Sequence, residues 1–184
     1  MGLKRRKDRA VEQKRSNYGR FGLMIATSMV VMYGVMYLNT YDLAHVRWSE
    51  TRLFMTFLMG ATMAVIMLSF MRGMYKDNRV NLAIYLVSLA VFVAALFLVR
   101  SQVTVQDSAY MSAMIPHHSI AILTSERAQI RDARVRQLAD DIIEAQRREI
   151  MEMNWLLEDI REHGIAATQA DADARPVPGF EASP

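Results

Sequence analysis

Three stretches without a charged side chain decide what this chain can fold into. They cover residues 21–41, 53–71 and 80–99, which is 21, 19 and 20 positions. A bilayer core about 30 Å thick needs roughly 20 helical residues at about 1.5 Å each. The chain is therefore expected to carry three membrane-spanning helices, and a single water-soluble core is excluded. The overall average conceals this: 52% hydrophobic and 22% charged would suit an ordinary soluble domain.

Charge is segregated along the same lines. Residues 1–20 hold Lys4, Arg5, Arg6, Lys7, Arg9, Lys14, Arg15 and Arg20 against Asp8 and Glu12, whereas residues 100–184 are net acidic. The basic end is a topology signal, so no nucleic-acid partner is expected. Arg47 and Arg52 lie in the first connection, and Arg72, Lys76 and Arg79 in the second. The positive-inside rule puts the N-terminus in the cytoplasm and the C-terminal region outside, in the periplasm of a bacterial inner membrane. The first block runs on to Tyr37, Leu38, Asn39, Thr40 and Tyr41 without a cleavage-like pattern, which favours an uncleaved anchor over a signal peptide. Tyr33, Tyr37, Tyr41 and Trp48 gather where the first span would leave the bilayer.

The implied organisation is a basic tail over 1–20, a membrane region over 21–100, a helical extracytoplasmic domain over 101–165 and a disordered tail over 166–184. Helices are expected at about 21–41, 53–71 and 80–99 in the membrane region. Asp107–Ile130 and Arg134–Glu162 each read as amphipathic helices. The short connection at Arg131–Ala133 predicts an antiparallel hairpin. Gly164 suits the residue just past the second helix. The fold class is thus all-α, with three spans followed by a hairpin. So small a hairpin core is expected to be completed by self-association into a four-helix arrangement.

Sulfur chemistry is confined to thioethers, because the chain has 15 Met and no Cys. Met55, Met59, Met63, Met67 and Met71 recur every fourth residue in the second span. That pattern fits either flexible apolar packing or a relay for a soft cation, packing being favoured. The richest string is Met111-Ser-Ala-Met114-Ile-Pro-His117-His118. Met111, Met114 and His118 share one helical arc, with His117 beside them. Two imidazoles and two thioethers suit Cu(I) or Ag(I), and an ordinary buried hydrogen bond explains the same residues equally well. Gln146 and Glu149 are polar positions on the otherwise apolar stripe of the second helix and need partners, which could be an oriented histidine. Met151 and Trp155 on a charged face point to a second contact: another copy, the membrane surface or the loop near Trp48. His45 is read as a solvated loop residue.

No catalysis is expected. The Glu-x-x-His pairs of di-iron carboxylate proteins, zinc-protease motifs, phosphate-binding glycine loops and nucleophile elbows do not occur.

Residues 107–157, with MIPHHSIAI and then LADDIIEAQRREIMEM and WL, resemble the domain of unknown function 305 family. That family includes the CopM-like periplasmic copper-binding proteins. The resemblance implies a ferritin-like or four-helix fold and a Cu(I) or Ag(I) site. Carried over by position, it implicates Met111, Met114, His117, His118 and Met153 as ligands, with Gln146 and Glu149 beside them. The small and Met residues that often follow the paired histidines are replaced here by Ser119, Ile120, Leu123, Thr124 and Ser125. The expected function is a membrane-anchored, extracytoplasmic copper- or silver-binding protein. The alternative is a metal-independent interaction or dimerisation module.

Overall fold

A computed structural model describes residues 2–181, with side chains from residue 17 onward. Six α-helices follow in order: α1 (Gly2–Val35), α2 (Glu50–Phe70), α3 (Asn78–Ser101), α4 (Asp107–Arg127), α5 (Ala133–His163) and α6 (Gln169–Ala174). A 3₁₀ turn, Leu43–His45, interrupts the α1–α2 connection. No strand occurs among the described residues. The chain divides into two compact units: residues 1–36 with 51–103, and residues 37–50 with 104–184.

In the first unit, α2 and α3 are long and apolar enough to cross a membrane. The first uncharged block behaves differently from the expected third span. It forms the end of α1, which stops at Val35, so only about 22 Å of helix follows Phe21. The basic cluster that precedes it belongs to the same helix, although the side chains of Lys4 to Arg15 lie outside the described ones. Arg52 Nη1 donates to Met36 O at 2.7 Å, bonding a carbonyl just past the helix end.

Packing in this unit uses small residues. Thr56, Gly60, Ala64 and Leu68 form the buried stripe of α2, one turn apart. Gly60 lies so close to Met29 of α1 that an added Cβ would strike its thioether. The methionine stripe runs one position before this seam. Met67 and Met71 pack against a cluster of Phe21, Ala64, Leu68 and Tyr75, whereas Met55 is exposed. Packing accounts for Met67 and Met71. At the α2–α3 connection, Tyr18 Oη donates to Asn81 Oδ1 at 2.8 Å, and Asn81 Nδ2 donates to Tyr75 O at 2.7 Å. Asp77 caps α3, its carboxylate accepting from Arg79 N and Val80 N.

In the second unit, α4 packs on α5. Met111, Ile115, Ile122, Ile150 and Met153 form the buried cluster, bordered by Met114, Ile143, Leu156, Leu157 and Ile160. This follows the sequence periodicity, since the apolar positions recur every three or four residues. Pro116 is buried within α4, which continues past it to Arg127. Asp132 caps α5, and the Arg134 side chain and backbone N–H hold its carboxyl well below the usual range, at about 2. Gly164 ends α5 at φ 78, a backbone angle that favours glycine.

The segment expected to be disordered contains α6. Thr168 and Asp171 form a reciprocal capping box at its start. Arg175 Nη1 then donates to Asp159 Oδ2 at 2.7 Å and Nη2 to Gly164 O at 3.2 Å, tying the segment to the end of α5. These polar bonds, rather than apolar contacts, hold it there. A composition-based reading therefore missed it.

Candidate metal site and the clasp beside it

His118 is the pivot of the expected site. It is buried, and its two ring nitrogens meet two acceptors: Nδ1 lies 3.0 Å from Met114 O, and Nε2 lies 2.6 Å from Glu149 Oε2. A carbonyl only accepts, so Nδ1 carries a proton and donates it. That leaves Nε2 as the ring atom able to offer a lone pair. Nε2 would offer it to a metal only by giving up its bond to Glu149 Oε2. Glu149 thus meets His118 directly, at Nε2. Its side chain is 40% exposed, so this end of the site opens to solvent.

The structure divides the remaining candidates. Met111, Met114 and Met153 all belong to the α4–α5 cluster, where Met111 and Met153 are buried. His117 is exposed and stands apart from that cluster, its ring centroid 6.3 Å from that of His118 in an edge-on arrangement. Gln146 is half-buried on α5, one turn before Ile150. Among the described residues, no three His, Asp or Glu side chains group closely enough to hold a metal ion. A hard cation that demands several oxygen or imidazole ligands does not fit this donor set. A soft cation content with few ligands, thioethers among them, is the class these donor types would suit. Such a cation would be held by His118 Nε2 with Met114 and its neighbours in the cluster.

Next to His118 lies a feature that sequence reasoning missed. Ser119 is fully buried, and its Oγ accepts from Tyr41 N–H at 2.7 Å and lies 3.0 Å from His45 Nδ1. A buried hydroxyl needs an acceptor for its own proton, and His45 Nδ1 supplies one. His45 is then the neutral tautomer with its proton on Nε2. Burial agrees, holding this imidazole below its ordinary range; Asp42 partly opposes the effect and Arg47 adds to it. Asp42 Oδ1 also accepts from Ala44 N at 2.9 Å, fixing the 3₁₀ turn that presents His45. Arg47 Nη2 donates to Asn154 Oδ1 at 2.9 Å. Residues 37–50 are therefore clasped onto α4 and α5, which corrects the expectation of a solvated His45. One warning was visible: Ser119 is a small polar residue on the Ile115–Ile122 stripe, as odd there as Gln146 and Glu149 on theirs.

The clasp also comes close to Met151. With Tyr41, Asp42 and His45 on one side and Ile122, Arg147 and Ile150 on the other, Met151 lines a cavity of about 220 Å³. Arg147 is paired with Glu126 at 2.7 Å across the α4–α5 seam.

Comparison with known proteins agrees with the helical unit and reaches beyond it. Uncharacterized protein L153 of Acanthamoeba polyphaga mimivirus is 31% identical over 140 residues, spanning 74% of this chain and 90% of its own length. No solved structure matches the chain significantly. Residues 102–179, from the end of α3 through α6, match the family described as Domain of unknown function (DUF305). By its similarity to that family over this segment, the chain belongs to the DUF305 family.

Proposed function

We propose that the chain is a membrane-anchored, extracytoplasmic metal-binding protein that sequesters or relays Cu(I) or Ag(I), as CopM-like proteins do. The observation that carries this reading is the state of His118. Its Nδ1 is committed to Met114 O and its Nε2 meets Glu149, on two helices whose shared core includes Met111, Met114 and Met153. A ring nitrogen fixed by a carbonyl is the usual preparation of a metal-binding histidine, and a metal would take Nε2 in place of its bond to Glu149. Three spans would anchor the protein, the end of α1 completing a bundle with α2 and α3. The N-terminus would then be cytoplasmic and the antiparallel α4–α5 hairpin outside.

Thermal unfolding of the detergent-solubilised full chain tests this. Cu(I) or Ag(I) should raise the melting temperature, because a ligand that binds only the folded state stabilises it. An unchanged melting temperature at saturating metal would overturn the proposal.

A second reading is a metal-independent interaction module. It is favoured by Val135 and Leu138, which stay exposed together on α5. Leu138→Lys should then dissociate a homo-oligomer in detergent; an unaltered mass by light scattering counts against that reading.

A further inference from the structure

Residues 37–50 expose a row of large apolar side chains, with Asn39, Asp42 and Arg47 the exposed polar ones among them. A connection surrounded by water shows its polar side chains outward and packs its apolar ones beneath. Here Tyr41 N–H and His45 bond inward to Ser119, and Arg47 bonds Asn154 at the surface. The large apolar side chains face outward instead. Leu38, Leu43 and Trp48 are 81%, 87% and 60% exposed, and Val46 is exposed with them.

Such a surface needs an apolar or amphipathic surrounding. Its place in the chain says which. The segment ends at Glu50, the first residue of α2, which is long and apolar enough to cross a membrane. Residues that leave such a helix stand at headgroup level, where Trp and Tyr with aliphatic neighbours are at home. A water-facing loop would gain nothing from this arrangement.

We infer that residues 38–48 are an interfacial anchor. Leu38, Leu43, Val46 and Trp48 lodge in the headgroup–acyl boundary of a lipid bilayer, while His45 and Arg47 clasp the α4–α5 pair to the same segment. This rests on the membrane-anchored reading above and not on the metal.

The chain has two tryptophans, so Trp155→Phe leaves Trp48 as the sole emitter. The full-length variant is reconstituted in phosphatidylcholine vesicles brominated either near the headgroup or deep in the acyl chain. Shallow bromine is expected to quench Trp48 at least about twofold more than deep bromine. A control carries Trp48→Phe, Trp155→Phe and Leu86→Trp, placing the emitter on exposed Leu86 of α3. The control should be quenched most by deep bromine. If it is, and Trp48 responds to neither bromine but to aqueous iodide, the anchor is refuted while the span stands. Trp48 shielded from both lipid and iodide would mean coverage by another protein surface, and also refutes it. Quenching of neither tryptophan by lipid overturns the membrane reading, and the anchor with it.

Discussion

Ser119→Ala isolates the clasp from the packing around it. The substitution keeps Cβ in its fully buried place and removes only Oγ, which serves Tyr41 N–H and His45 Nδ1. Each hydrogen bond contributes about 0.5–1.5 kcal/mol net, so two give roughly 1–3 kcal/mol. Alanine is the better helix former by about 0.5 kcal/mol, but α4 stays helical when the segment opens, so this gain does not enter the docking equilibrium. Tyr41 and His45 are only partly buried, so water can replace some of what they lose and the upper figure is out of reach. The net effect is about 1–2 kcal/mol against the docked segment, or roughly a 5- to 30-fold rise in its opening equilibrium. Because α4 and α5 keep their core, opening is local and global stability changes less. Amide hydrogen exchange of the solubilised full chain reads this directly. Tyr41 N–H should exchange about 5- to 30-fold faster, with the Ile150 amide in mid-α5 little altered. An unchanged Tyr41 rate would refute the claim that Ser119 holds residues 37–50 in place.

Other perturbations separate the remaining contributions. The His45 imidazole is held below its ordinary range, so an opened or unfolded His45 takes up a proton first as pH falls below about 6.5. Docking is therefore full above that pH and weakens below it; Tyr41 exchange should quicken on acidification beyond the intrinsic rate, and His45→Gln should remove that dependence. Ile115 has no exposed surface, so Ile115→Ala should cost about 2–5 kcal/mol in urea unfolding of the solubilised chain. The Asp132 carboxyl, held by Arg134, should titrate near pH 2 by NMR. Its cap on α5 is complete above the ordinary carboxylate range and is lost as pH falls through about 2.

Periodicity made the long elements legible. The recurrence of Met111, Ile115 and Ile122 with Ile150 and Met153 marks the α4–α5 core, and Gly164 marks the end of α5. The uncharged runs of α2 and α3 identify themselves by length. What periodicity could not show is where a non-periodic segment is bonded. Residues 37–50 and 168–175 are held by capping and side-chain hydrogen bonds between positions distant in sequence, such as Tyr41 with Ser119 and Arg175 with Asp159. The end of α1 at Val35 was hidden for the opposite reason: the uncharged run continues to Tyr41, and hydrophobicity alone does not say where a helix stops. At the candidate site, spacing on one helix grouped His117 with His118. Contacts with the second helix separate them, because only His118 meets Glu149.

Cu(I) affinity of the solubilised full chain, measured by competition with a chromogenic chelator, is the most direct test of the proposed function. His118→Gln retains a side chain able to hydrogen-bond with Glu149 but lacks the imidazole, and circular dichroism shows whether the helices persist. His117→Gln alters the neighbouring ring, which lies outside the thioether cluster. The expected result is Cu(I) binding by the wild type, weakened at least about tenfold by His118→Gln and little changed by His117→Gln. Equal affinity in a folded His118→Gln variant, or no binding by the wild type, would contradict it.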